Sequence, residues 1–173
     1  QQSMFRHYSK VGDHFVIHPE EGQPPLIIGK EHLTFFLTAD TASKWKQSAD
    51  YTAIQAWAYD SRNFNLLLMD MIRERIAIPD MPRIIMDQSR KWGCSFVMIE
   101  EASSGIGLLA ELRTARGEGI SLVPYSPHTG DKLARAHAAI RRLSDGRVYF
   151  PSTNPSWMSI FVAELLAFPI GEH

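Results

Sequence analysis

Residues 97–107 read VMIEEASSGIG: an apolar run that ends in two adjacent carboxylates, Glu100 and Glu101, and then breaks into small residues and glycines. With Ser95 and Phe96 in front, SFVMIE (95–100) is a short segment rich in branched and aromatic side chains, the pattern of a buried strand. A second run, LTFFLTAD (33–40), has the same form and ends in Asp40. Two core strands that each deliver acid to their own tip raise two questions. One is whether the strands lie side by side, and the other is whether the GIG that follows cradles a phosphate or only turns the chain.

Working outward, a polar loop, TASKWKQSAD, leads from Asp40 to YTAIQAWAY (51–59), a second strand. The turn DSRN then feeds FNLLLMDMI (64–72), a third. Connections this short imply an antiparallel meander. In IPDMPRIIMDQSRKWG, Asp80 can cap a helix that stops at Gly93, with Met81, Ile85 and Trp92 near one face. SFVMIE is the fourth strand, followed by a helix from about Ser104 to Arg116 and a fifth strand, ISLVPY (120–125). DKLARAHAAIRRLSDG is helical, with Leu133, Ala136, Ile140 and Leu143 as its apolar stripe. RVYF is a short strand. Asn154 and Pro155 suit an N-cap and first helical position opening WMSIFVAELLAF. The expected architecture is α/β: a mixed sheet of three antiparallel strands followed by parallel ones, with helices on its faces.

Residues 1–32 carry short apolar pieces and the breaker-rich EEGQPP, and read as a lead-in or linker to an ordered domain over 33–173. HFVIH places His14 and His18 four apart, a metal spacing only on a helix. Phe15, Val16 and Ile17 between them favour a strand, which leaves the two histidines on one face but farther apart.

A right-handed crossover after the third strand brings the fourth back beside an existing strand. If it lies parallel to the first, Asp40 and Glu100 share one end of the sheet at a strand spacing of roughly 4.8 Å. Carboxylates that close repel each other, and a divalent magnesium or manganese ion with oxygen ligands relieves the repulsion. Asp50, across the loop from Asp40, is a further candidate. Glu101 alternates with Glu100 and so points away from it. Taken one at a time, each of these acids also reads as an ordinary solvated turn residue.

The bulk composition narrows the function classes. At 173 residues, 45% of them hydrophobic and 21% charged, the chain has the profile of one globular domain. Its formal net charge of -1 supplies no global field toward nucleic acid, so an anionic partner must meet a local basic patch. A single cysteine, Cys94, excludes an internal disulfide and any cysteine-rich zinc site. No apolar run approaches the roughly 20 residues of a spanning helix, and QQSMFRHYSK has no signal-peptide pattern. The missing initiator Met is expected of a fragment of a longer chain.

FLTADTASKWKQSADYTAIQAWAY resembles the first motif of the nuclease domain of tailed-bacteriophage terminase large subunits: a strand ending in Asp, a loop, then Asp-Tyr opening the next strand. VMIEEASSGIGLLAELR is similar to the second motif. DKLARAHAAIRRLSDGRVYFP resembles the basic helix, glycine turn and short strand that follow, and WMSIFVAELLAFPIGEH the approach to the last motif. MFRHY resembles the joint behind the motor domain. The resemblance spans nearly the whole chain. It implies a ribonuclease-H-like fold and a metal-dependent endonuclease that cuts concatemeric double-stranded DNA with two magnesium or manganese ions. It further implies an ATPase motor domain before residue 33, a portal protein and a small terminase subunit as partners, no membrane, and the cytoplasm of a bacterial host as the location. By position, Asp40 and Glu100 match the first and second metal-binding acids, with Glu101 and Asp50 as additional candidates. The family's third acid follows a segment like FPIGEH, where this sequence ends at His173, so the domain is expected to be truncated and to hold metal weakly by itself.

Phosphate contacts are expected from local charge. Lys132, Arg135 and Arg142 share one flank of their helix, and Lys44 and Lys46 lie in the loop after Asp40. Such contacts read little sequence and weaken steeply with salt. Three other readings stay open. GIGLLA (105–110) fits G-x-G-x-x-A at a helix start, as in a dinucleotide site, although carboxylates beside a pyrophosphate would repel it. A resolvase or transposase relative is built on the same strand-end acids. A non-catalytic docking module keeps the fold without cutting. No G-x-x-x-x-G-K-[ST] is present, so the chain is not itself the ATPase.

Overall fold

The computed structural model of the chain describes residues 5–18, 22–40, 51–100, 104–115, 120–126 and 132–167. In chain order its strands are β1 (Arg6–Val11), β2 (His14–Ile17), β3 (Leu26–Gly29), β4 (Leu33–Asp40), β5 (Thr52–Asp60), β6 (Asn65–Glu74), β7 (Phe96–Glu100), β8 (Ser121–Tyr125) and β9 (Val148–Pro151). Its helices are α1 (Met81–Trp92), α2 (Ser104–Ala115), α3 (Lys132–Ser144) and α4 (Ser156–Ala167). Two compact units divide the chain: Glu31–His128, and Gln1–Lys30 together with Thr129–His173.

In the first of these the strand order is β6-β5-β4-β7-β8. β4, β5 and β6 form the antiparallel meander, and β7 and β8 add in parallel on the far side of β4. This is the mixed sheet that the alternating runs predict. Strict alternation along β4 and β5 sends Leu37, Ala39, Ile54, Ala56 and Ala58 to one face, where each is buried, with Val97 and Ile99 of β7 beside them. α1 packs against β4 and β5, and α2 against β7, β8 and α1. Met81, Ile85 and Met86 are the buried apolar side chains that α1 contributes, near the expected stripe, and Ser89 is buried with them. Gly93 ends α1 in the left-handed region (φ 65°), a conformation that glycine adopts without strain. The N–H of Ser95 then donates to the carbonyl of Phe35 at 2.8 Å, and this fixes where β7 starts along β4.

Two local devices shape the β5–β6 hairpin. The fully buried Asp60 carboxylate accepts from the N–H groups of Arg62 (3.1 Å) and Asn63 (3.3 Å) and from the Asn63 side-chain amide (2.8 Å), so the DSRN turn closes on its own first residue. Farther along, Trp57 pairs with Leu68 and Ala56 with Asp70, which leaves Met69 as the extra residue of a bulge.

In the second unit, Arg6–Val11, His14–Ile17 and Leu26–Gly29 form strands where the sequence reading has a lead-in with a strand only at HFVIH. β1, β2 and β3 make an antiparallel meander, and β1 pairs in parallel with β9. Their runs are short and carry exposed Val11 and Ile27, so the periodic signal in sequence is weak. Tyr8, Phe15, Ile17, Val148 and Phe150 are buried here, and Phe150 sits 5.5 Å from Phe5 and 5.7 Å from Phe161 between ring centroids. His14 opens β2 and His18 lies just past its end, with His18 Nε2 3.2 Å from Ser9 Oγ. Of the stripe expected on α3, Leu143 is buried and Ala136 and Ile140 are half-buried, while the Leu133 side chain lies outside the described residues. One capping expectation is corrected. Asn154 adopts a left-handed φ of 48°, and α4 begins at Ser156, so the loop turns at Asn154 before the helix instead of capping on it.

Candidate active site

The register of β4 and β7 decides whether the acids meet. These strands are parallel neighbours with Phe36 opposite Phe96, Leu37 opposite Val97, Thr38 opposite Met98 and Ala39 opposite Ile99. Asp40 and Glu100 are the next residues on each strand, so their backbones stand one strand spacing apart, roughly 4.8 Å. Paired residues share a face, and Asp40 and Glu100 therefore lie on the side opposite the aliphatic core. Two pairs back on that side, beyond Thr38 and Met98, Phe36 and Phe96 stack with centroids 4.9 Å apart and planes at 9°. Asp40 is exposed and Glu100 half-buried.

Behind the acids the same face turns polar. Gln55 Oε1 accepts from Thr38 Oγ1 at 3.4 Å and from Trp57 Nε1 at 3.3 Å. The register then extends sideways through a single row: Asp40 opposes Ala53, Ala53 opposes Arg73, and Glu100 opposes Tyr125. Arg73, Arg75 and Tyr125 were not singled out from sequence. The sequence reading ends the third strand at Ile72, whereas β6 continues to Glu74, which brings Arg73 into the sheet and leaves Arg75 just past its end. The signal that could have found them is the R-x-R alternation in MIRER.

The remaining candidates are placed as follows. Asp50, Glu101, Lys44 and Lys46 lie outside the described residues. Lys132, Arg135 and Arg142 fall on α3 in the other unit; the side chains of the first two lie outside the description and Arg142 is exposed. Among the described residues no group of three or more His, Cys, Asp or Glu stands close enough to hold a metal. The described donors are thus a carboxylate pair, whose hard oxygens fit magnesium or manganese better than a soft-ligand metal. Cys94 is buried, and desolvation pushes its thiol up to about 11 against a weaker opposing hydrogen bond from Ser89, so it is no nucleophile at neutral pH. The second glycine of GIGLLA, Gly107, is inside α2 rather than in a loop before it, which places the motif within the helix. No described helix is long and apolar enough to cross a membrane.

Comparison with known proteins agrees with this architecture. The P22 large terminase nuclease domain superposes with a TM-score of 0.52 at 16% identity, covering 78% of this chain and 68% of that one. A mutant nuclease domain of the large terminase subunit of bacterial virus Sf6, with manganese and beta-thujaplicinol, gives 0.54 at 11% identity over 78% of this chain and 70% of that one. The fowlpox virus Holliday junction resolvase gives 0.50 at 13% identity, covering 76% of this chain and 85% of that one. At these identities the likeness is one of fold. No curated protein matches the sequence. Residues 37–170 match the family model described as the terminase RNaseH-like domain, a span from within β4 to beyond α4 that includes both strand-end acids. The chain belongs to the terminase RNaseH-like domain family.

Proposed function

We propose that this domain is a divalent-cation-dependent endonuclease that hydrolyses phosphodiester bonds of double-stranded DNA during viral genome packaging. The observation that carries the reading is the parallel register of β4 and β7, which sets Asp40 and Glu100 at adjacent strand ends on one face. Family membership supports the nuclease class, and the manganese in the Sf6 relative supports the class of cation. When bound, divalent cations would supply activation of water and stabilisation of the leaving oxygen. Asp40, the more exposed of the two acids, would be a shared ligand. Glu100 would hold a cation or orient the attacking water. Asp50 and Glu101 are additional ligands, and Lys44, Lys46, Lys132, Arg135 and Arg142 are phosphate contacts. The ATPase motor, portal and small terminase subunit are the partners of this reading, and the bacterial host cytoplasm its setting.

The test is cleavage of plasmid DNA with manganese against the same reaction in EDTA, for the wild-type protein, Asp40→Asn and Glu100→Gln. Manganese-dependent cutting that falls on the order of a hundredfold or more in either variant supports the assignment. Cutting that persists in EDTA, or in Asp40→Asn at the wild-type rate, overturns it. The resolvase-like fold favours one second reading, cleavage of branched DNA. Preference for a four-way junction over linear duplex in the same assay selects it.

A further inference from the structure

We propose that Arg73 and Arg75, braced on the ring of Tyr51, form a phosphate clamp that holds the backbone of duplex DNA beside the Asp40–Glu100 pair. The inference rests on the nuclease reading and adds a binding site on a different strand. The register row fixes the placement: Arg73 opposes Ala53, and Ala53 opposes Asp40. Arg73 is therefore two strand spacings from Asp40, about 10 Å between backbones. Side chains at directly opposed positions share a face, so Arg73 lies on the side of the acids. The opposite parity is confirmed independently by Asp70, which pairs with Ala56 and reaches Lys91 of α1 at 2.7 Å on the core side. Phosphates of one DNA strand recur about every 3.4 Å of helix axis, so a scissile phosphate at the acids puts nearby phosphates within reach of the arginines.

The chemistry of the patch suits an anion. The Arg73 guanidinium carbon lies 3.8 Å from the Tyr51 ring centroid and that of Arg75 lies 5.1 Å from it. The ring attracts each cation, yet the two cations repel one another, and a phosphate between them offsets that repulsion. Guanidinium is the side chain that grips phosphate through a planar fork, and stacking against a ring orients it before the ligand arrives, which lowers the ordering cost on binding. Tyr51 and Arg75 are both exposed, so the patch is open to a large ligand. With a net charge of -1, the chain needs such a local concentration of positive charge to hold DNA at all.

The alternative role for these contacts is a staple between the ends of β5 and β6, and the experiment separates the two. Binding of a short fluorescent duplex is followed by anisotropy in EDTA, where no cleavage occurs, between about 0.05 and 0.2 M salt. Arg73→Gln and Arg75→Gln are compared with Arg83→Gln, an exposed arginine on α1 with the same charge change. Each clamp variant is expected to weaken binding about eightfold near 0.1 M salt and to lower the salt slope by about 0.9, with melting unchanged. Arg73→Lys restores part of the affinity, and Arg83→Gln does neither. Wild-type binding that both clamp variants retain overturns the clamp and leaves the nuclease reading standing. Affinity losses that merely follow lowered melting temperatures assign the patch to a staple and overturn it as well. A wild-type protein that neither binds nor cuts duplex removes the nuclease reading and the clamp together.

Discussion

The two faces of the β4-β5-β7 sheet are built from the same strands and differ in almost every property. Toward α1 lie Leu37, Ala39, Ile54, Ala56, Val97 and Ile99, all buried and all aliphatic. Toward the other side lie Phe36, Thr38, Asp40, Gln55, Trp57, Phe96, Met98 and Glu100, none of them fully buried and half of them polar. Neighbours in sequence thus do opposite work: Ala39 and Ile99 anchor the strands in the core, and the residue after each carries an acid. The candidate site therefore gains its rigidity from the opposite face. A single position of slip would exchange chemistry for packing on the whole strand.

Moving the acid one residue back would do the most damage. Ile99→Asp places an unpaired carboxylate in the dry face and is expected to cost about 4 kcal/mol or more, enough to abolish the cooperative urea transition. Leu37→Ala, also on the dry face, should cost about 2–5 kcal/mol in the same measurement. On the other face, Phe36→Leu gives up the stack with Phe96, and its expected loss is about 0.5–1.5 kcal/mol. Asp40→Asn should change stability without metal by less than about 0.5 kcal/mol. Manganese at ten times its dissociation constant should raise wild-type melting by about 3–6 °C and leave Asp40→Asn unmoved. A large destabilisation by Asp40→Asn in EDTA would show that the two faces are not divided as described.

A further effect, absent at neutrality, is a matter of pH. Burial penalises the Cys94 thiolate and pushes the folded thiol up to about 11. A raised folded pKa means that the contribution to stability is complete below the unfolded value and is lost as pH climbs through the folded one. Cys94→Ala should therefore flatten the alkaline fall in stability between about pH 9 and 11, on top of a pH-independent cost for the lost buried sulfur.

Much of this was legible in the sequence. LTFFLTAD and SFVMIE each announce a strand with an acid at its tip, and the short turns between the first three strands leave few alternatives to a meander. The step from strands to neighbours was conditional, because only the sheet register places Asp40 against Glu100. HFVIH read as a strand, but its neighbours β1 and β3 escaped detection because short strands with outward-facing Val11 and Ile27 give no clean period. Arg73 and Arg75 escaped for a different reason. NLLLMDMIRE reads as one apolar run with a charged tail, and nothing in it marks where the strand stops.

That last strand carries a phase error that turns out to be useful. Counting by twos from Leu67, whose partner is Ala58 on the dry side, puts Arg73 in the hydrophobic interior and Asp70 on the open face. Met69, the unpaired residue of the bulge, acts as a frameshift: everything after it is read on the opposite side. One inserted methionine thus steers Asp70 inward to Lys91 and turns the two arginines outward toward the acids. It does so without disturbing the hairpin pairing on either side. A strand with no such insertion could not be greasy on the core side near its turn and cationic on the site side at its tip with this order of residues.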